Sequence, residues 1–400
     1  MKNSVKNVFR FLAKEQVLLW VYMLITLVAS IQQYLLKGQP IGPDQAVYTH
    51  YNNYVIFKYS FFHLLQNQNL YSLHLTEQWD LFKYSPTFAL FMGLFAYLPD
   101  WLGLFLWNLL NSLVLFFGLK NLPGIASATT VKMRWFVLQE LLTSMQNAQS
   151  NGLILGLIVW GFIYLERKQL AWAALLMLLS TFIKIFGILG FILFIFYPQK
   201  PKAILYAVLW SVVLLALPLF AVSSEALVQQ YSNWLVMLQN DHSDSIGLSV
   251  MGWLSTWFGL NPPKMAVVVV GAVLLLLPLL RLNKYSSYYY RLFMLAAVLL
   301  WIVIFNHKAE SPTFIVAMGG VAIWYFSHPT TRLDTVLVIF AFIFTSLSPT
   351  DLFPAFLRQT VIIPYTLKAV FCIFIWAKII VDMLTNDFSH TVGEQVVSVG

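Results

Sequence analysis

Charge is scarce in this sequence. Asp, Glu, Lys and Arg make up 10% of the 400 residues, where soluble domains carry roughly 25%, and that shortage excludes an ordinary water-soluble enzyme. Cysteine is scarcer still: Cys372 stands alone inside the apolar run LKAVFCIFIWAKIIV. One thiol makes no internal disulfide, and its plain role is that of a small packing residue. Also missing are a Walker loop, a Rossmann glycine fingerprint after a strand, and a His/Cys cluster at zinc spacing. An ATP-driven pump or a soluble nucleotide-sugar enzyme needs such a cassette. No internal repeat stands out, and no ten-residue alternating pattern suggests a barrel.

What is there is apolar. Hydrophobic residues reach 60% and the mean hydropathy is +0.74. About 20 such residues span a bilayer, and because lipid satisfies no backbone group the spans are helices. The expected fold is all-α and polytopic, a single integral membrane domain over 1–400 with about 12 spans, 13 being the alternative count. A formal charge of +8 does not point to nucleic acid, because the basic residues sit in short loops: ERK at 166–168, PQKPK at 198–202, RLNKYSSYYYR at 281–291 and SHPTTR at 327–332. The positive-inside rule makes those loops cytoplasmic. It places there also the basic N-terminus, ahead of an uncleaved first span from Val17 to Leu36, and the tail 384–400.

The remaining connections then face outward: the first outer loop 37–84, a region near 121–150, the large loop 223–263, the turn NHKAESP, and 346–365. They hold most of the carboxylates, Glu140 among them. Within 121–150, MRWFVLQELLTSMQNAQ does not fill 20 positions with apolar residues and reads as an interfacial or re-entrant helix, a span being the alternative. In the first loop, Tyr54, Phe57, Phe61 and their neighbours suit a helix lying in the headgroup layer, close to Asp44, His50 and Lys58. FKYSP ends that loop, its proline placed for the first turn of a second span.

Several polar groups sit where apolar ones would be cheaper. Gln149 and Asn151 are helix caps or sugar ligands. Lys184, among apolar neighbours, snorkels or meets a phosphate. Asp241, His242 and Asp244 have the look of a metal-ligand cluster, but a solvated turn explains them as well, and no metal ligand is assigned. Trp234, Trp253 and Trp257 suit interfacial anchoring or sugar stacking. His307 and Lys308 suit a phosphate leaving group with Glu310 orienting them, and Arg358 is a further cation for it.

The phrases NLYSLH…DLFKYSPTFALF and QNAQSNGLILGLIVWGFIYLERKQLAWAALLMLLSTFIKIFGILGF resemble glycosyltransferase family 87, GT-C-type enzymes of the polyprenol-phosphate-mannose-dependent kind. The family's glycine-glutamine-x-asparagine signature is similar to AQSN here, with Ala148 in place of the glycine, and its lysine after the next span matches Lys184. The resemblance implies a GT-C bundle. It implies a catalytic aspartate soon after the first span, which the DQAVY run matches as Asp44. By spacing alone Asn53 falls at that place, but an amide takes up no proton, so Asp44 is the expected base, with His50 as its stand-in. The implied donor is a polyprenyl-phosphate sugar; the resemblance carries no role onto NHKAESPTF or SPTDLFP, and it is the leaving phosphate's need for cations that makes Lys184, His307, Lys308 and Arg358 the expected phosphate contacts. Asn53, Gln149, Asn151, Asp241 and Glu310 are expected on sugar or acceptor. A glycolipid or glycan acceptor and membrane lipids are the partners, with no cofactor beyond the donor and metal dependence left open. The competing expectations are a transporter or flippase, which would place charges at the midplane on broken helices and show repeats, and a noncatalytic scaffold.

Overall fold

The computed structural model describes residues 11–41, 46–240 and 245–388. It is almost wholly helical. After α1 (Glu15–Leu35), two short strands, β1 (Gln39–Ile41) and β2 (Ala46–Tyr48), pair antiparallel with Gln39 opposite Tyr48. The helices α2 (Asn52–Leu65), α3 (Pro86–Phe91), α4 (Gly93–Ala96), α5 (Asp100–Lys120), α6 (Ser127–Gln146), α7 (Asn151–Glu166) and α8 (Leu170–Ile183) follow. A 3₁₀ stretch, Ile185–Phe196, leads to α9 (Lys200–Ala216), α10 (Ser224–Asn240), α11 (Val250–Phe258) and α12 (Lys264–Leu276). The last are α13 (Tyr288–Ile304), α14 (Phe314–Phe326), α15 (Arg332–Ala341), α16 (Ala355–Leu357) and α17 (Leu367–Thr385).

Among the described residues, three helices are long and apolar enough to cross a membrane: Glu15–Leu35, Asp100–Lys120 and Lys200–Phe220. Each has 21 residues, and at 1.5 Å per residue that is about 31 Å, the thickness of a hydrocarbon core. Shorter apolar helices accompany them, including Asn151–Glu166, Tyr288–Ile304 and Ser311–Phe326.

Two segments depart from expectation. Ser127–Gln146 is a helix as expected, but not a surface one: it runs unbroken for 20 residues, and both Arg134 and Glu140 on it are fully buried. Those interior charges lower the helix's apparent hydropathy and give it the look of an interfacial element. Pro86 does open a helix, with the Ser85 hydroxyl accepting from the Phe88 N–H. That helix and α4 run only to Ala96, about 16 Å, too short for a bilayer.

The chain forms two compact units. The first comprises residues 1–118, 141–188 and 201–243. Here α1 buries the stripe Leu18, Tyr22, Thr26, Ala29, Ser30 and Gln33, spaced for one helix face, while Trp20 and Leu24 are exposed. Helix α2 is packed inside the unit: the Phe57 ring meets Tyr84, Phe88 and Trp107 edge-on at centroid distances of 4.9, 5.3 and 5.6 Å. The aromatic residues expected in a headgroup layer are therefore largely core. A methyl on Gly156 of α7 would come 2.9 Å from the backbone of Val114 and Leu115, so α5 and α7 cross in near backbone contact. Helix α9 is the opposite case, with only Ala203 and Leu214 buried.

The second unit comprises 119–140, 189–200 and 244–400. Its centre is the hairpin of α13 and α14, buried almost all round, as a helix without a polar face must be. Glu140 and Lys368 meet inside this unit at 2.8 Å. The Lys368 ammonium also donates to the Thr345 carbonyl at 2.7 Å and lies 5.2 Å from the centre of the Phe314 ring. Thr345 belongs to a π-helical stretch, Phe342–Leu347, where the wider turn leaves a carbonyl for a side-chain donor.

Candidate functional site

Helix α6 ends on a residue in an uncommon conformation. Ala148 has φ of +48°; its N–H reaches the Met145 carbonyl at 2.9 Å and the next N–H, of Gln149, reaches Ser144 at 3.1 Å. This is a Schellman closure, whose left-handed position glycine normally fills. Trp107 Nε1 donates to the Ala148 carbonyl at 2.9 Å, and the Asn111 amide oxygen accepts from the Leu153 N–H at 2.8 Å. Together these groups fix the short turn between α6 and α7, and with it Gln149 and Asn151.

Lys184 comes to that turn from α8. It is the C-terminal cap, with extended backbone (φ −137°, ψ 126°), so the helix stops and the side chain turns aside. Its ammonium donates to Gln149 Oε1 at 3.3 Å and Asn151 Oδ1 at 2.9 Å, and stands 5.9 Å from the ring centres of Tyr84 and Phe186. Neutral amide oxygens thus fix where the cation sits. Asn53 joins the same layer, its amide N–H₂ donating to the Asn147 carbonyl at 2.9 Å. The first unit therefore gathers Asn53, Gln149, Asn151 and Lys184 around one turn. His50 is half-exposed between β2 and α2. Asp44, Asp241, His242 and Asp244 lie outside the described residues.

The other expected residues belong to the second unit. The turn that carries His307 and Lys308 is held by Asn306 Oδ1, which accepts the Lys308 N–H at 2.9 Å, and by Leu248, whose N–H donates to the Ala309 carbonyl at 3.1 Å. Gly247 (φ +56°) touches this turn so closely that a Cβ would lie 2.4 Å from the His307 carbonyl oxygen. Glu310 is exposed and makes no ion pair or side-chain hydrogen bond among the described residues, so the orienting role expected of it has no contact behind it. Arg358 is 3.8 Å from the exposed carboxylate of Asp351 and donates to the Pro349 carbonyl at 3.4 Å.

Three groupings escaped the sequence reading. Lys58 pairs with Asp100 at 2.6 Å, and Tyr51 donates to the same carboxylate at 3.4 Å; burial, with the Asp100 charge beside it, pushes the Tyr51 phenol up to about 12. Glu140 and Lys368 are too far apart in the chain to be paired by inspection. The third is His63, His74 and Glu77, each offering a ligand atom within 4.8 Å of the others. His63 Nε2 donates to Glu77 Oε2 at 2.6 Å, and its ring stacks on His74 at 3.7 Å. Burial pulls the His63 pKa down, against the pull of the Glu77 hydrogen bond. A cleft of about 340 Å³ opens in the same unit, lined by Asn69, Tyr71, Leu81, Asn233, Met237 and Asn240.

A comparison with curated proteins gives no match. The model of glycosyltransferase family 87 matches residues 82–349, more than half of the chain, and takes in the AQSN turn, Lys184, His307 and Lys308. The chain therefore belongs to glycosyltransferase family 87, and it is an enzyme that transfers a glycosyl group.

Proposed function

We propose that the protein moves a hexose, mannose foremost, from a polyprenyl-phosphate donor to an acceptor hydroxyl at the extracytoplasmic face of the cell membrane. The observation that carries this reading is the ammonium of Lys184 fixed between the amides of Gln149 and Asn151. In the reaction a base takes the acceptor proton, the acceptor oxygen bonds to the sugar's anomeric carbon, and the bond to the lipid phosphate breaks. Asp44 is the base in this reading, with His50 as its alternative. The departing phosphate gains charge, and a preorganised cation such as Lys184 stabilises it most where water is scarce.

We also infer twelve spans. They are α1, α5, α6, α7, α8, Ile185–Phe196, Lys200–Phe220, Lys264–Leu280, α13, Ser311–Phe326, the helix beginning at Arg332, and α17. The short helices α3 and α4 are excluded by length. An even number agrees with cytoplasmic termini and with the basic loops, and it moves the α5–α6 connection at 121–126, first read as outer, to the cytoplasmic side.

The test is transfer of labelled mannose from polyprenyl-phosphate mannose by protein in nanodiscs, with a membrane extract as acceptor. Wild type should transfer, Asp44→Asn should not, and Lys184→Met should lose about 10²-fold in kcat. Full activity in both variants, or transfer from a nucleotide sugar alone, overturns the reading.

A further inference from the structure

From the grouping of His63, His74 and Glu77 we infer a binding site for one divalent transition-metal ion, Zn²⁺ by ligand type, that staples the end of α2 to the segment that follows it. Two imidazoles and one carboxylate are a donor set of open zinc sites, which leave a fourth position to water or ligand. Their ligand atoms already lie within 4.8 Å of one another, near the spacing a shared ion requires, and they come from two pieces of chain. His63 is in the last turn of α2. His74 and Glu77 share one turn, closed by the Glu77 N–H donating to the His74 carbonyl at 3.0 Å.

An independent observation supports it. His74 Nε2 lies 3.0 Å from the Asn69 carbonyl oxygen and 3.2 Å from Ser72 Oγ. A carbonyl only accepts, so this nitrogen carries the proton and Nδ1 keeps its lone pair. A ring N–H donated to a backbone carbonyl is the usual second contact of a metal-ligating histidine, fixing tautomer and orientation. His63 Nε2 and Glu77 Oε2 are joined by a hydrogen bond of 2.6 Å; the ion takes the place of that hydrogen, so the neutral His63 ring carries its proton on Nδ1 when it ligates, and His63 Nε2 and Glu77 Oε2 move apart to flank the metal. The rings must also leave their stack, because stacked lone pairs run side by side. His74 is the ring that tilts: it is half-exposed on a turn, whereas His63 is buried, and the terminal torsion of histidine is broad.

Nearby elements fix the surroundings. The Asn52 amide oxygen accepts the Trp79 N–H at 3.0 Å, and its N–H₂ donates to the Trp79 carbonyl, so the segment is anchored on its far side too. Asn69, whose carbonyl holds His74, also lines the 340 Å³ cleft. The ion would order one wall of that cleft. The three ligands precede the residues that match the family model, so the site is not among the features by which this chain was assigned to its family. The inference holds or fails independently of the sugar, the donor and the catalytic base.

The experiment uses full-length protein in nanodiscs, free of any polyhistidine tag and stripped by chelator, titrated with Zn²⁺ and then Co²⁺. One equivalent should bind, and Co²⁺ should give the visible bands of a four- or five-coordinate site. His74→Gln and Glu77→Gln, both at solvent-accessible positions, should weaken binding by at least 10-fold and abolish those bands. Ser72→Ala should keep one equivalent. No stoichiometric binding by wild type, or equal binding by wild type and both variants, overturns the proposal. Circular dichroism of each variant separates loss of the site from loss of the fold.

Discussion

Ala148 sits where a β-carbon is unwelcome. A left-handed residue bearing a side chain costs about 1–2 kcal/mol, part of which alanine recovers because glycine loses more chain entropy on folding. Ala148→Gly should therefore stabilise the protein by up to about 1 kcal/mol, read as a small rise in thermal midpoint, with the Lys184 contacts unchanged. Glu140 is the opposite kind of residue. Its carboxylate balances a buried ammonium, and Glu140→Gln leaves Lys368 uncompensated, a loss of about 3–5 kcal/mol when one partner of a buried pair is removed. Thermal unfolding should fall sharply in that variant and recover in Glu140→Gln with Lys368→Met, because removing both charges removes the penalty.

At the scale of elements, contact is set by small residues. Gly156 lets α5 and α7 approach, and Gly156→Leu should force them apart or block folding, seen as loss of monodisperse protein on extraction. Gly247 acts on a turn. Both its φ of +56° and the nearby His307 carbonyl oppose a side chain, so Gly247→Val should loosen the turn bearing Lys308 and expose it to limited proteolysis. Which elements exist was largely legible beforehand. Long apolar runs announced α1, α5 and α9, and Pro86 announced its own helix. Helix α6 was legible as a helix but not as an interior one, because Arg134 and Glu140 look solvent-facing until their buried surroundings are known. Nor was the role of α2 visible: aromatic residues suit a headgroup layer and a protein core equally, and only the packing around Phe57 decides. The Lys184 turn was partly legible, since the AQSN residues and the lysine stand out in sequence, while the closure at Ala148 that joins them is a backbone fact. Ten residues lie between His63 and His74, a gap outside familiar zinc spacings, so only the fold brings that pair together.

For the whole molecule, the testable matter is which way the helices run. The single native thiol is buried, with Sγ 3.6 Å from Thr345 Oγ1, so Cys372→Ala gives a silent background. Glu225→Cys and Gln169→Cys then place thiols at exposed positions, one in a connection read as outer and one beside the basic ERK loop. A membrane-impermeant maleimide should label position 225 on intact cells and position 169 only after lysis. The reverse pattern would invert the orientation and with it the side on which the acceptor is glycosylated.

Helix α9 fully buries only Ala203 and Leu214 and turns most of the rest outward, with Trp210 half-buried and donating from Nε1 to the Ala171 carbonyl at 3.0 Å. In evolutionary terms it is a segment under loose selection, held to hydropathy and length rather than to side-chain identity. A saturation library over 200–216 should therefore tolerate most apolar exchanges, stay sharply intolerant only at Ala203, Trp210 and Leu214, and read as a nearly blank stripe beside the heavily constrained α13 and α14.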